Sequence, residues 1–250
     1  MKPKIYVVGF GPGERPYMTQ QAVDAMTQAD LVVGYTTYVR LLEKQFPELQ
    51  YYATPMRKEA DRCRAAVEAA LTGKTVALVS SGDSGIYGMA GVLLEIAAEM
   101  QADVEVTAVA GVTAASAAAA VLGAPLMHDF AVISLSDCMT PLEQIYRRVA
   151  LAAEADFVIC LYNPKSHSRT AYLAEAAKLI QQHRKPETPV GIVRNAGREG
   201  EQAWITTLEK LPEEPVDMFC VVLVGNSQTY VQNGKMITPR GYCVRREESR

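Results

Sequence analysis

Apolar positions along the chain follow two alternating patterns, short continuous runs and longer stretches with helical spacing. In the N-terminal half, the continuous runs predict buried strands at residues 4–8, 30–33, 75–80 and 103–109. The stretches between them predict amphipathic helices at residues 19–28, 37–46, 58–71 and 87–100. Strands that alternate with helices of about 10–15 residues are typical of an α/β fold with a mostly parallel sheet.

The alternation restarts after residues 122–126 (LGAPL), which break the pattern and indicate a domain boundary. The second half predicts strands at residues 130–135, 156–161, 189–194 and 218–224, and helices at 141–153 and 170–183. The end of the second half departs from the alternation of strands and helices. Asn-Gly between apolar flanks predicts a β-hairpin over residues 230–237. Residues 204–208 (WITTL) are a further candidate strand. We therefore predict an α/β protein of two αβα domains, the first with a mostly parallel sheet and the second with a mixed sheet. The predicted limits are residues 1–122 and 123–242, with a tail at 243–250.

A glycine turn at residues 9–13 (GFGPG) follows the first predicted strand and precedes a helix. The dinucleotide fingerprint needs the spacing G-x-G-x-x-G, so that backbone amides can hold a pyrophosphate at a helix N-terminus. Here the glycines stand at alternate positions, and Pro12 removes one amide donor. We expect this turn to shape the wall of a cofactor site rather than to hold a phosphate.

A second glycine turn, at residues 80–88 (SSGDSGIYG), follows the strand at 75–80 and belongs to the same edge of the predicted sheet. Asp83 within this turn has two interpretations: it caps the next helix, or its carboxylate accepts hydrogen bonds from a ligand. Residues 110–120 (AGVTAASAAAA) then predict a helix with almost no side-chain bulk. Such a helix either packs tightly on a sheet or lets a ligand or a second domain approach its backbone.

Two polar loops follow predicted strands of the second half. Residues 161–169 (LYNPKSHSR) carry Lys165 and Arg169, which either hold an acidic substrate or are solvated loop residues. Residues 193–199 (VRNAGRE) have the same position after a strand. Because open α/β sheets bind ligands at the carboxyl ends of their strands, the loops of both halves predict one cleft.

The composition narrows the classes of function. The 250-residue chain is 49% hydrophobic and 21% charged, as in ordinary globular proteins, and its net charge of −3 disfavours a nucleic-acid partner. No apolar run approaches the ~18 residues of a membrane span, and the N-terminus has the pattern of a strand rather than of a leader. The five cysteines lack a C-x-x-C pair and indicate neither a disulfide framework nor a zinc site. A cytoplasmic location is therefore expected.

Candidate nucleophiles and metal ligands are scarce: no metal-binding set and no Ser-His-Asp motif is recognisable. His128 stands beside Asp129, but neighbouring side chains usually point apart, so this pair is weak evidence for catalysis. The pattern disfavours hydrolases and metalloenzymes. It favours a reaction whose reactive group is carried by a cofactor.

Three segments taken in order resemble the tetrapyrrole (class III) S-adenosylmethionine methyltransferases, namely residues 9–13 (GFGPG), 81–90 (SGDSGIYGMA) and 111–116 (GVTAAS). Others resemble the branch of that family that methylates precorrin-3B at C-17, among them residues 122–130 (LGAPLMHDF), 161–164 (LYNP), 188–193 (TPVGIV) and 236–242 (MITPRGY). The resemblance extends over about residues 4–242. One departure is Ser84, where the family often has a proline after the aspartate.

The resemblance implies a tetrapyrrole methylase fold, with S-adenosylmethionine bound in an active-site cleft between the two domains. It also implies S-adenosylhomocysteine as a product and a homodimer as the assembly. Carried over by position, the implied cofactor-binding residues are Pro12, Gly82, Asp83, Ile86, Tyr87, Thr113, Ala114, Tyr162, Asn163, Arg194, Asn195 and Ala196.

The implied reaction is methylation of precorrin-3B or cobalt-precorrin-3 at C-17, with contraction of the ring, in cobalamin biosynthesis. The macrocycle itself is the nucleophile, so no catalytic cysteine, serine or metal is expected. Ring contraction needs proton transfer, for which the candidates are His128, Tyr87 and Tyr162. The carboxylates of the substrate need cationic partners, for which the candidates are Arg57, Lys58, Lys165, Arg169 and Arg194.

Several alternatives stay open. Within the family they are methyltransferases that act at C-11 or C-20, and more distantly those that modify ribosomal RNA or diphthamide. Outside it they are a nicotinamide-dependent oxidoreductase and a tetrapyrrole carrier that only binds. The spacing of the glycines argues against the oxidoreductase, and the net negative charge argues against an RNA substrate.

Overall fold

The structure, a computed structural model, describes residues 2–166 and 169–242. Contacts between Cα atoms group the chain into two compact units, Met1–Ala114 and Ala115–Arg250. The boundary predicted after Leu122 lies at the end of the helix that begins at Ala114, and it stays a prediction. The predicted tail, residues 243–250, lies outside the described residues. None of the helices within the described ranges has the length and apolar character needed to cross a bilayer.

The first unit is a parallel sheet with helices on both faces. Its strands are β1 Lys4–Gly9, β2 Leu31–Tyr35, β3 Tyr51–Thr54, β4 Thr75–Ser80 and β5 Glu105–Val109. Its helices are α1 Gln20–Thr27, α2 Thr36–Glu43, α3 Glu59–Leu71 and α4 Ala90–Glu99. The strand order is β3-β2-β4-β1-β5 and all of these neighbours pair in parallel, which confirms the predicted parallel sheet.

Side chains that alternate along the strands produce two apolar layers in this unit. Ile5 and Val7 of β1 are fully buried in a cluster with α3 and α4. Val8 is buried on the opposite face, in a cluster that contains Phe10 and the apolar side of α1. Because the strands are parallel and both faces are covered, the loops that follow the strands meet at one edge of the sheet.

Two details of the first unit differ from the sequence-based expectations. The pattern does not predict β3, because this strand lies at the edge of the sheet, and its Tyr52 and Ala53 are exposed. Helix α4 begins at Ala90 rather than near residue 87. The reason is the backbone of Tyr87, whose φ of 52° is left-handed and therefore incompatible with the first turn of a helix.

The second unit contains a mixed sheet. Its strands are β6 Gly123–Ala124, β7 Phe130–Ser134, β8 Val158–Tyr162, β9 Pro189–Arg194, β10 Gln202–Thr207, β11 Cys220–Val224, β12 Tyr230–Gln232 and β13 Lys235–Ile237. The helices that follow α4 are α5 Ala114–Leu122, α6 Leu142–Glu154 and α7 Tyr172–Gln181. In the order β10-β9-β11-β8-β7, only β7 and β8 pair in parallel, which confirms the predicted mixed sheet.

The predicted hairpin forms from β12 and β13. Its turn residues Asn233 and Gly234 both have positive φ, 50° and 71°, as an Asn-Gly turn requires. The strand predicted at residues 204–208 is confirmed as β10. Strand β13 also pairs in parallel with β6, which has only two residues and gives no signal in the sequence.

Candidate functional site

Three loops of the first unit lie side by side at the carboxyl edge of its sheet. They follow β4, β1 and β5, which are consecutive in the strand order. The loops comprise residues 81–89, 10–13 and 110–113. We call this group the three-loop edge. It contains the first two predicted glycine turns and the start of the small-residue segment.

The glycines of the three-loop edge allow one backbone to touch another. The amide of Gly11 donates to the carbonyl of Gly82 at 2.9 Å, and the amide of Val112 donates to the carbonyl of Gly11 at 3.3 Å. A Cβ at Gly9 would lie 2.6 Å from the amide nitrogen of Ser84. A Cβ at Gly11 would overlap the Cα of Gly82, and one at Gly111 would overlap the Gly82 carbonyl. The glycine spacing is therefore explained by contact between the loops.

Asp83 fastens two of these loops. One carboxylate oxygen accepts a hydrogen bond from the amide of Gly85 at 2.8 Å, and the other accepts one from the amide of Gly111 at 3.0 Å. The helix-cap interpretation is wrong, because Met89 is the N-cap of α4 and makes no side-chain cap hydrogen bond. Neighbouring Ser84, the departure from the family pattern, is buried and donates from its hydroxyl to the carbonyl of Val109 at 3.0 Å.

The tip of the same turn presents apolar side chains to solvent. Ile86 is 40% exposed and Tyr87 is 59% exposed. Tyr87 also has a left-handed φ of 52°, which is uncommon for a bulky residue. Residues with such strained backbone conformations are found most often at functional sites. A Cβ at Gly88 would lie 2.5 Å from the carbonyl oxygen of Asp83, so the turn closes on itself. A closed turn with outward-facing apolar groups offers a surface to a ligand.

The remaining cofactor candidates of the first unit lie on the other two loops. Pro12 is buried and follows a cis peptide bond from Gly11. Thr113 is half-buried at the end of its loop, and Ala114 is the first residue of α5. The structure therefore places all first-unit cofactor candidates on the three-loop edge or next to it.

The basic candidates of the first unit follow β3. Arg57 is exposed, has a left-handed φ of 63°, and forms no hydrogen bond or ion pair with the described part of the chain. Lys58 instead pairs with Asp61 at 2.9 Å. The hydrogen bond that Lys58 donates to Asp61 raises the pKa of Lys58 and lowers the pKa of Asp61. Of the two candidates, only Arg57 is available to a ligand without first breaking an ion pair.

In the second unit, candidate side chains cluster at and just beyond the carboxyl ends of the parallel strands β7 and β8. The hydroxyl oxygen of Tyr162 accepts a hydrogen bond from the amide of Ala115, in the first turn of α5, at 2.6 Å. The side-chain amide of Asn163 donates to the hydroxyl oxygen of Ser134 at 2.9 Å, and its backbone is left-handed with φ 51°. Side-chain hydrogen bonds thus fix both of these cofactor candidates.

Arg169 belongs to a polar cluster in the same region. Its Nη1 donates to Ser136 Oγ at 3.1 Å and lies 3.4 Å from Asp137 Oδ1, and its side chain is only 14% exposed. The hydroxyl of Tyr172 donates to the other oxygen of Asp137 at 2.8 Å. This hydrogen bond, with a smaller effect of Arg169, holds the pKa of Asp137 below its ordinary value. Lys165, in contrast, is half-buried and has no hydrogen bond or ion pair with the described residues.

Arg194 ends β9 and pairs with Asp217, with 2.7 Å between Nη2 and Oδ2. Asn195 has a left-handed φ of 52°, and its amide donates to the carbonyl of Phe219 at 3.2 Å. Half-buried Ala196 follows it. These three cofactor candidates therefore form one short turn that is anchored to the segment before β11.

His128 lies apart from the other candidates of the second unit. It precedes β7, whereas Ser134 and Tyr162 lie at the carboxyl ends of β7 and β8. A five-residue strand spans roughly 16 Å. The side chain of His128 is 43% exposed, and its Nδ1 lies 3.6 Å from Asp129 Oδ2. Its role in proton transfer stays a prediction.

The matching family model decides the identity of the fold. The model of the tetrapyrrole (corrin/porphyrin) methylases matches residues 4–212. The chain belongs to this family.

Individual tetrapyrrole methylases are similar to the chain over nearly its whole length. A probable cobalt-factor III C(17)-methyltransferase of Salmonella typhimurium is 52% identical over 238 residues, which cover 95% of this chain and 99% of that protein. A precorrin-3B C(17)-methyltransferase of a Sinorhizobium species is 39% identical and covers 96% of this chain and 97% of its own.

Solved tetrapyrrole methylase structures have the same fold. The methyltransferase CobJ superposes with a TM-score of 0.87 at 34% identity, over 94% of this chain and 99% of that one. A uroporphyrin-III C-methyltransferase of Thermus thermophilus, solved with S-adenosylhomocysteine, has a TM-score of 0.69 at 21% identity, over 89% of this chain and 97% of that one. At 21% identity, the similarity to the Thermus thermophilus enzyme shows a common fold and nothing about function.

The sequence interpretation misses two polar groups that the structure brings into the site region of this tetrapyrrole methylase. Asp137 accepts a hydrogen bond from Arg169 and another from the Tyr172 hydroxyl, although it is far from both residues in the sequence. The signal that was available is the position of Ser136 and Asp137 directly after a buried strand. No three His, Cys, Asp or Glu side chains of the described residues converge on a possible metal position.

Proposed function

We propose that this tetrapyrrole methylase transfers a methyl group from S-adenosylmethionine to C-17 of cobalt-factor III, cobalt-precorrin-3 or precorrin-3B, with ring contraction, in cobalamin biosynthesis. The observation that carries the proposal is the 52% identity to the Salmonella typhimurium C(17)-methyltransferase over nearly the whole of both chains. The 34% identity to CobJ, with a TM-score of 0.87, supports it.

The three-loop edge suits S-adenosylmethionine better than a phosphate-containing cofactor. Pro12 has no amide hydrogen, and the amides of Gly11 and Gly111 are already bonded to Gly82 and Asp83. These three positions therefore offer no free amide to a pyrophosphate. The edge offers instead the exposed apolar side chains of Ile86 and Tyr87, which suit the adenosyl group. We propose that this edge holds the cofactor.

The proposed cofactor residues have different tasks. Asp83 acts by holding the loops together, and Gly82 acts by keeping the backbone close, whereas Ile86, Tyr87 and Thr113 contact the cofactor. In the second unit, the proposed cofactor residues are Tyr162, Asn163, Arg194, Asn195 and Ala196. S-adenosylmethionine supplies an electrophilic methyl group on a positively charged sulfur. The chain aligns the macrocycle with that group and excludes water, and both effects lower the barrier to such a displacement.

The carboxylates of the macrocycle require cationic partners, and the structure ranks the candidates by availability. Arg57 and Lys165 have no competing partner in the described chain. Lys58, Arg169 and Arg194 already pair with Asp61, Asp137 and Asp217. We propose Arg57 and Lys165 as the direct carboxylate ligands. The paired residues would bind a substrate only by sharing or exchanging their partners.

Proton transfer during ring contraction is proposed for His128 or Tyr87, and less directly for Tyr162, whose hydroxyl oxygen already accepts a hydrogen bond. We also propose a homodimer and a cytoplasmic location. Support for the location comes from the cysteines of the described residues, Cys63, Cys138, Cys160 and Cys220, which form no disulfide bond with one another.

The test is conversion of a macrocycle by the purified protein. Cobalt-factor III and precorrin-3B are each incubated with S-adenosylmethionine labelled at the methyl carbon, and the products are analysed by mass spectrometry and carbon NMR. The proposal expects one labelled methyl at C-17 of a contracted ring. Label at C-11 or C-20 would assign the chain to another specificity, and binding without transfer would identify a carrier.

A further inference from the structure

Arg62 is a buried charge that none of the proposed steps uses. It lies in α3 and is 3% exposed, although arginine is rarely buried without an ionic partner. No carboxylate within the described ranges forms an ion pair with it, in contrast to Arg64, which pairs with Glu99 on the outer side of the same helix. Sequence periodicity places Cys63, Ala66 and Val67 on the buried face but gives no reason for a cation there.

The guanidinium of Arg62 contacts the ends of several loops. Its Nε donates to Thr54 Oγ1 at 2.8 Å, and its Nη2 donates to the carbonyl of Pro55 at 3.1 Å. Its Nη1 lies 3.8 Å from the sulfur of Met89. Its carbon centre also lies 5.9 Å from the centre of the Tyr35 ring.

These contacts join two of the loops that carry ligand candidates in the first unit. Thr54 and Pro55 begin the connection that presents Arg57. Met89 ends the turn that presents Ile86 and Tyr87, directly before α4. The planar, rigid fork of an arginine can fix such neighbours in a single geometry, which a flexible lysine cannot. Arg62 therefore braces both loops through contacts at their ends.

The position is costly in free energy. Burial lowers the pKa of Arg62, because the charged form loses its hydration. An apolar side chain of similar volume would avoid this penalty, and such replacements of buried ionic groups are often neutral or stabilising. Fold stability alone therefore does not account for an arginine at this position.

We infer that Arg62 is a positioning residue that holds residues 55–58 and 81–89 in the geometry needed for the cofactor and the macrocycle. The inference rests on the proposed function for its consequence, since the loops it braces are the proposed binding loops. The brace itself is a property of the ligand-free protein and can be measured without any activity.

The test compares Arg62→Met with Arg64→Met, a matched change on the exposed side of α3. Hydrogen exchange of the ligand-free proteins should show faster exchange in residues 55–58 and 81–89 for Arg62→Met and no change there for Arg64→Met. Calorimetry well below the unfolding temperature should show S-adenosylhomocysteine binding about tenfold weaker for Arg62→Met, the scale of one lost hydrogen bond to a charged group. Arg62→Lys, which keeps the charge but loses the fork, should not restore the affinity.

Thr54→Val supplies a second variant with little change in volume. It removes the oxygen that accepts from Nε and should shift exchange and affinity in the same direction, by less. Normal exchange and affinity in Arg62→Met and Thr54→Val would overturn the inference. So would a lower melting temperature with unchanged affinity, which is the result of a purely structural role. If the unaltered protein did not bind S-adenosylhomocysteine, the proposed cofactor would be wrong, and the exchange result would still decide whether the brace exists.

Discussion

The candidate sites of the two units are held together mainly by different kinds of contact. In the first unit, backbone packs on backbone at Gly9, Gly11 and Gly111. In the second, side chains hold one another, as Asn163 does with Ser134 and Arg169 does with Asp137. A site shaped by close backbone contacts tolerates no added atoms at those contacts. A site shaped by charged side chains tolerates changes in volume but depends on protonation and on the partner.

The largest effect is expected from adding one methyl group to the backbone-built site. In Gly11→Ala the new Cβ would overlap the Gly82 Cα and the Val112 carbonyl, so the loops must separate. We expect a loss of about 3 kcal/mol of unfolding free energy, measured by urea denaturation, together with loss of S-adenosylhomocysteine binding.

The matched control for this change is Gly91→Ala in α4, where a Cβ would meet nothing within 4 Å. Alanine should stabilise this helix by about 0.5–1 kcal/mol. If both variants were equally stable, contact between the loops would not be the reason for Gly11.

A smaller effect is expected from Asp83→Ala. The change removes the acceptor of two backbone amides, those of Gly85 and Gly111, without adding bulk. We expect a loss of about 2 kcal/mol of unfolding free energy and weaker S-adenosylhomocysteine binding by a protein that remains folded. Asp83→Asn keeps one acceptor oxygen, so its stability and its affinity should lie between those of Asp83→Ala and those of the unaltered protein. Unchanged affinity in Asp83→Ala, measured by calorimetry, would remove Asp83 from the cofactor site.

A still smaller effect separates the free cation from the paired one. Arg57→Met should raise the KM for the macrocycle about fivefold, the upper range for an exposed ion pair, and leave stability unchanged. Lys58→Met should change the KM less, because Lys58 is already paired with Asp61. Steady-state kinetics check both variants. A larger effect of Lys58→Met would reverse the ranking of the cations.

The smallest effect concerns pH in the second unit. The folded pKa of Asp137 is held below its ordinary value, first by the Tyr172 hydroxyl. Its stabilising contribution is therefore present above the unfolded pKa of about 3.9 and is lost as the pH falls through the folded pKa. Tyr172→Phe should melt at a lower temperature than the unaltered protein at pH 6, with the difference narrowing below pH 4. Tyr146→Phe, whose ring packs against Tyr172, is the control and should show no such narrowing.

The contrast between the units also explains what the sequence predicts. Glycine turns after apolar runs are local signals, so the parallel sheet and the three-loop edge were predictable, and the Asn-Gly pair located the hairpin. Edge strand β3 was not, because its exposed Tyr52 and Ala53 interrupt any apolar run. The role of Asp83 was not predictable either, since its partner Gly111 is distant in the sequence.

Side-chain partnerships are the part that local patterns leave out. Arg169 and Arg194 have the same appearance as Arg57 in the sequence, and only the fold shows that each has a carboxylate partner. Arg62 is the clearest case, because its contacts come from β3, from the loop after it and from Met89. Such contacts depend on how distant segments are brought together.

The central claim is methyl transfer to C-17, and the position of the transferred carbon tests it most directly. Cobalt-factor III is converted with S-adenosylmethionine that carries a carbon-13 methyl group, and the product is examined by carbon NMR. The proposed function predicts one enriched methyl resonance, correlated with C-17 of a contracted macrocycle. Enrichment at another ring carbon, or no enrichment although S-adenosylhomocysteine binds to the protein, would contradict it.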